Sequence, residues 1–208
     1  MNTGIQDATN LGWKLAFASR RPDTGDRLLH SYEIERRAVA RHVLALTHVA
    51  FWAEAGTDPV ASLGRGVIAP LVASLVPVAL RQRALVGQGI RVLSQLRWNY
   101  RRSPLSVESL PGSRVAARAG DRLPDQLVTV NGTPQRLHDL TSRPGLHLLL
   151  YHDTPTGTLA PPDKLTHLHR IISWPGTGVV VVRPDGHVGY RSGSPGPGLG
   201  DWLAAMGT

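Results

Sequence analysis

The hydrophobic period changes once along this chain, and that change restricts the fold more than any other feature. Up to about residue 105 apolar residues recur three and four apart, the spacing of one helix face; beyond about residue 121 they come in short uninterrupted runs, as buried strands do. Between Pro104 and Asp121 Pro, Gly and Ser gather and neither period holds, which marks a boundary. The expected organisation is α then α/β: a helical segment over 1–105, a linker over 106–120 and a small α/β layer domain over 121–208.

In the first half, Ile5, Ala8, Leu11, Leu15 and Ala18 form the stripe expected to face inward on helix one. Lys14, Arg20 and Arg21 suit its negative end before Pro22 stops it. Thr3 and Gln6 have capping-box spacing, and Asp7 lies near the positive end. Asp23–Asp26 reads as a turn, with Asp26 capping a second helix to about Glu54 along Leu29, Tyr32, Arg36, Val39, Val43, Leu46 and Ala50. Glu33, Glu35, Arg36 and Arg37 are expected to form surface pairs. The uncharged stretch Gly66–Leu80, interrupted by Pro70 and Pro77, is too short and broken for a membrane span of about 20 residues and reads as an interfacial or buried helical segment. A third helical pattern runs from about Val78 to Tyr100 and ends before Pro104.

The second half offers strands at Gln126–Val130, Leu146–Tyr151 and Gly178–Arg183. Asn131-Gly132 makes one turn and Pro184-Asp185-Gly186 another, the latter leading into His187–Arg191 as a hairpin. Lys164–Ile172 and Leu199–Met206 read as short helices.

Several classes of chemistry drop out on composition. There is no cysteine, so neither disulfides nor thiol redox nor thiolate metal sites exist, in keeping with a cytoplasmic protein. The first residues show neither a basic nor an apolar leader pattern. The net charge of +8 divides as +6 over 1–110 and +2 over 111–208; no basic run exceeds two residues and no aromatic ladder accompanies it, so nucleic acid is not an expected partner. His42 and His48 lack the spacing of paired ligands, and His152, His167 and His169 have no matching carboxylate, so no metal site is expected. The small residues Asn2, Thr3 and Gly4 would let a partly negative ligand atom approach the free N–H groups of helix one, although most capped helix starts bind nothing.

MNTGIQDATNLGWKLA resembles the final FAD-contacting motif of the class A flavoprotein aromatic hydroxylases, the para-hydroxybenzoate hydroxylase-like monooxygenases that use NAD(P)H and O2. The resemblance implies that the backbone N–H groups of Asn2 and Thr3, with Met1 and Gly4 shaping the corner, face the pyrimidine end of the flavin. LLHSYEIERRAVARHV resembles the helix that packs behind the flavin domain in that family, and WNYRRSPL its connector. GDRLPDQLV, RLHDL and VVVVRPDGHVGYR resemble its thioredoxin-like C-terminal domain, here without cysteines and so without thiol chemistry.

The family also has a glycine-rich G-x-G-x-x-G unit for the cofactor pyrophosphate, and no such unit following a strand and opening a helix occurs in these 208 residues. The expectation is therefore the C-terminal part of an FAD-dependent monooxygenase of an aromatic or polyketide-like substrate, inactive alone, completed by an N-terminal flavin-domain partner or paired as a homodimer. No residue is assigned as catalytic, and helix one, lacking the sheet it should cover, is expected to fray or associate. The alternative is a non-catalytic interaction or dimerisation module.

Overall fold

A computed structural model describes residues 2–82, 86–87, 98–111, 116–155, 164–174 and 177–207. The chain forms two compact units, one combining Met1 and Thr3–Glu35 with Trp98–Thr208 and the other combining Asn2 with Arg36–Arg97. The expected 1–105 segment is thus divided between the two.

The larger unit is built on a five-stranded mixed sheet. Its strands are β1 (Val107–Glu108), β4 (Leu146–Tyr151), β5 (Thr166–Ile171), β6 (Val179–Val182) and β7 (Val188–Ser192), in the order β1-β7-β6-β4-β5. β1 runs parallel to β7 and β4 parallel to β5, whereas β6 is antiparallel to both its neighbours. The stretch expected as a linker therefore carries the edge strand β1. A separate hairpin, β2 (Leu127–Val130) with β3 (Thr133–Arg136), turns through Asn131 (φ 50°) and Gly132 (φ 79°), the left-handed pair that suits the twist of adjoining strands.

Every residue of β4 and β6 is buried, because both faces of the sheet are covered. Leu148, Leu150, Val179 and Val181 point to a core shared with Trp13, Phe17, Leu28, Leu105, Trp202 and Met206. Leu149, Val180 and Val182 point oppositely, to Leu123, Val128, Leu137, Ile171 and Trp174. The period of two along each strand divides one apolar run between two cores. On the first face lie helix α1 (Asn2–Arg20), the start of α2 (Pro22–Ala55) and a C-terminal helix of residues Pro197–Met206. That last helix approaches so closely that a Cβ on Gly189 would lie 2.4 Å from the Trp202 ring. A single helical turn, Leu137–Leu140, lies with the hairpin on the other side.

Three boundaries differ from expectation. Pro22 opens α2, where its missing N–H costs nothing, so Asp23–Asp26 lies inside a helix. Thr3 is likewise within α1, which already begins at Asn2, and is not its cap. Residues 164–172 form strand β5: Leu165, Leu168 and Ile171 fit a helical period and a strand equally over so short a run, and pairing with β4 decides.

In the smaller unit, α2 continues to Ala55 and is followed by α3 (Pro59–Leu63), a π-helical turn (Gly64–Ile68) and α4 (Ala69–Arg81). Asp58 caps α3 by accepting from the backbone N–H groups of Val60 and Ala61, both at 3.0 Å. Pro70 and Pro77 do not break this run, contrary to the sequence expectation. Pro59–Pro77 has a mean hydropathy of 1.6 and is only 6% buried, so it is neither a buried helix nor too short to cross a membrane. Length and composition do not separate such a span from a helix covered by protein. The expected third helix, from about 78 to 100, falls largely outside the described residues.

Candidate functional site

Of the four residues expected at the flavin, Asn2, Thr3 and Gly4 form the first turn of α1, and Met1 lies outside the described residues. No acidic residue occupies that turn, and a Cβ added at Gly4 would meet nothing within 4 Å. The first backbone N–H groups of a helix have no intrahelical acceptor and carry the positive end of its dipole. A turn of small residues without carboxylates thus fits an electron-rich ligand atom, such as the N1–C2 carbonyl edge of a flavin.

What fixes this turn in space is the opposite of the expected apolar stripe. Ile5 is 60% and Leu15 48% exposed, while Asn10, Trp13, Lys14 and Phe17 are buried. The inward face of α1 is polar at its centre because it meets a buried carboxylate. Glu35, expected in a surface pair, is buried and accepts five hydrogen bonds. Its Oε1 receives Arg183 Nη1 at 2.6 Å and the Ser103 hydroxyl at 2.6 Å; its Oε2 receives Asn10 Nδ2 at 2.7 Å, Lys14 Nζ at 2.8 Å and Arg183 Nη2 at 2.9 Å.

A second buried carboxylate shares two of these donors. Asp185 Oδ2 accepts from Asn10 Nδ2 at 3.0 Å, from the Trp13 indole N–H at 3.2 Å and from Arg183 Nη2. Its Oδ1 accepts from Arg183 Nε at 3.1 Å and from the His187 backbone N–H at 3.3 Å. Arg183, entirely enclosed, also lies 5.1 Å from the Trp13 ring centre and 5.5 Å from that of Tyr100.

Charges balance within the cluster, and their protonation follows from it. Burial alone would raise the Glu35 pKa, but the charge and hydrogen bonds of Arg183, with Lys14, outweigh it and hold the carboxyl at about 2. Asp185 is likewise kept well below the usual range, burial being overcome by Arg183 and His187. Burial brings Lys14 down to about 8 against the attraction of Glu35, and Arg183 is pushed up as Asp185 and Glu35 overcome its own desolvation. Removing one partner would leave an uncompensated buried charge, which costs far more than the pair contributes when intact. The cluster therefore pins α1 to the sheet as a fixed support for its first turn.

The histidines group differently from the expectation. His152 pairs with Asp153 at 2.6 Å, while His147 joins His167 and His169 across β4 and β5. His147 Nδ1 and His169 Nε2 are 3.0 Å apart, and the ring centres of His147 and His167 4.8 Å. Among the described residues no group of His, Asp and Glu has a metal-holding arrangement.

Residues 1–47 match the family described as an FAD binding domain. Pentachlorophenol 4-monooxygenase of Sphingobium chlorophenolicum is 33% identical over 190 residues, covering 89% of this chain and 31% of that protein. The rebeccamycin biosynthetic enzyme RebC with reduced flavin superposes with a TM-score of 0.64 at 29% identity, over 99% of this chain and 41% of the other. This chain is a relative of the FAD-dependent aromatic monooxygenases. OxyS anhydrotetracycline hydroxylase from Streptomyces rimosus, at 23% identity, shares the fold with a TM-score of 0.67.

This monooxygenase relative spans about a third of the length of the curated proteins it matches. Its family-like segments prove to be spatial neighbours: NLGWK supplies Asn10, Trp13 and Lys14, YEIER supplies Glu35, RRSPL supplies Ser103 and VVVVRPDG supplies Arg183 and Asp185. Sequence reading identified each segment and missed their convergence. The available signal was charged or polar residues inside otherwise apolar surroundings, above all Arg183 after four valines.

Proposed function

We propose that this chain is the C-terminal part of an FAD-dependent monooxygenase that hydroxylates an aromatic or polyketide-like substrate with NAD(P)H and O2. The observation that carries the reading is the FAD-binding match over residues 1–47, which ends within α2 and includes the open first turn of α1. Asn2 and Thr3 would hold the pyrimidine edge of FAD through their backbone N–H groups, with Met1 and Gly4 shaping the corner. FAD, when bound, supplies the redox chemistry. This chain's residues orient it: the N–H groups stabilise negative charge at the flavin edge, and the Glu35 cluster keeps them fixed.

Residues 121–208 are read as the thioredoxin-like domain of such enzymes, supported by a mixed sheet covered on both faces. Without cysteine it serves packing or association. The bare apolar surfaces of α1 and of Pro59–Arg81 support a protein cover, an N-terminal flavin-domain partner or a second copy, and a cytoplasmic location accompanies this reading. The isolated chain is then catalytically incompetent.

Titrating the purified chain with FAD tests this, followed by flavin absorbance and fluorescence. The expected result is no binding up to high micromolar FAD, with binding and NAD(P)H oxidation appearing once the chain replaces the matched third of pentachlorophenol 4-monooxygenase. In that fusion Thr3→Pro, which removes one N–H, should weaken FAD. A fusion that folds yet never binds FAD would favour the interaction-module reading.

A further inference from the structure

A second cleft lies one turn further along α1, and its chemistry is unused by the flavin reading. It measures about 140 Å³ and is lined in part by Gln6, Asn10, Tyr100, Arg122, Asp185 and His187, all within the larger unit. Gln6 and Asn10 are four apart on α1 and so share a face. Arg122 and His187 are opposite each other in an isolated antiparallel bridge, and the Asp185–His187 turn is held by the Leu123 N–H donating to Gly186 O at 2.9 Å. The Tyr100 ring lies 4.4 Å from the His187 ring and fixes its plane.

Four polar groups around this one cleft lack partners among the described residues. Asn10 Oδ1 is buried and accepts nothing. Its orientation is set, since Nδ2 donates to both Glu35 and Asp185, so flipping the amide would sacrifice two bonds to carboxylates. His187 directs Nδ1 to Asp185 O at 3.2 Å, leaving Nε2 open. The Arg122 guanidinium and the Gln6 amide make no hydrogen bond or ion pair among the described residues. Buried polar atoms are ordinarily satisfied, so Asn10 Oδ1 points to a polar partner entering the cleft, and the exposed Arg122 and half-exposed Gln6 beside it are free to turn toward the same partner.

The sign of the ligand follows from the charges. Glu35 and Asp185 are matched by Lys14 and Arg183, so the guanidinium of Arg122 is the uncompensated charge at the cleft. A guanidinium fork suits a planar or tetrahedral oxyanion, and the Gln6 amide adds another N–H donor. Acceptors are offered as well, at His187 Nε2 and Asn10 Oδ1, and these call for a ligand that still carries a proton. The volume is ample for an oxyanion-sized group.

We propose that this cleft is a binding site for a small oxyanion of the phosphate class, held by Arg122 and Gln6 as donors and by His187 Nε2 as acceptor of the ligand's own O–H. Occupancy ties the β6–β7 turn and Arg122 to the flank of α1. The site is complete without FAD, so its test is independent of the flavin reading.

The experiment is calorimetric titration of the 208-residue chain with inorganic phosphate, ionic strength held constant with chloride, alongside sulfate and acetate. The expected result is saturable one-to-one phosphate binding, weaker for acetate and for sulfate, which carries no proton at neutral pH. Arg122→Gln, an exposed substitution whose fold is checked by circular dichroism, should weaken phosphate at least tenfold. The His187 ring resonances of the unaltered chain should shift with phosphate and saturate at the same concentration. Absence of binding at millimolar phosphate, undiminished binding in Arg122→Gln, or an unmoved His187 resonance would each overturn the site. Sulfate binding as tightly as phosphate would overturn the role given to His187.

Discussion

The sheet-centred unit and the helical unit are both rich in aliphatic residues, yet they dispose of them oppositely. Along β4 and β6 every side chain is buried, whereas among the described residues from Pro59 to Arg81 only Ala61 is, and Leu71 and Leu75 are 65% and 64% exposed. The difference lies in the backbone. A strand meets its hydrogen-bonding needs only by pairing, and pairing brings the next layer with it; a helix satisfies itself internally and can stand with its apolar side bare. Helical periodicity therefore announces a helix without announcing a core for it.

The contrast breaks most visibly at Glu35. Glu35→Ala leaves Lys14 and Arg183 buried with fewer partners and should cost about 3–5 kcal/mol, while Glu33→Ala, exposed on the same helix, should stay within about 0.5 kcal/mol. Urea denaturation of the two variants decides; equal losses would mean that the cluster anchors nothing. Next comes Leu148→Ala, expected to cost about 2–5 kcal/mol against about 0.5 or less for Leu71→Ala in the isolated chain. A large loss for Leu71→Ala would show that the helical surface is already covered, by self-association if the loss depends on concentration.

Acid should separate two groups in sequence. Burial, with the charges of neighbouring histidines, holds His169 down at about 4 and lowers His147, so both are neutral in the fold. Unfolding lets them take up protons, hence stability falls as pH drops from about 6.5 through about 4. Glu35, depressed to about 2, contributes stability above its unfolded value of 4.5 that is lost as pH falls further through 2. Urea midpoints measured against pH should show the histidine slope first, and His169→Gln should flatten it. The smallest effect is Gly4→Ala: its Cβ meets nothing, so helix propensity should add up to about 1 kcal/mol of stability. In a flavin-loaded fusion the same methyl should weaken FAD, if the turn faces it.

Legibility in the sequence followed physical locality. Strand Leu146–Tyr151, the turns at Asn131-Gly132 and Pro184-Asp185-Gly186, and the C-terminal helix depend on residues close in sequence and were readable. Strand β5 was not, because its identity rests on pairing with β4. The inward face of α1 was misjudged for a related reason: an apolar stripe predicts burial only when the covering surface is present, and Lys14 is drawn inside by a carboxylate 21 residues away. Met1, Asn2, Thr3 and Gly4 were singled out through resemblance, since capped helix starts are common and carry no ligand signal of their own.

The Glu35 carboxylate collects partners from Lys14 at 21 residues, Ser103 at 68 and Arg183 at 148. On the ribosome the guanidinium that completes the cluster emerges 148 residues after Glu35. Until then the Lys14–Glu35 pair lacks the guanidinium that shares its carboxylate. Enclosure of α1 during synthesis thus waits for Arg183, and nascent chains stalled before Arg183 should leave this helix open to protease while longer ones protect it.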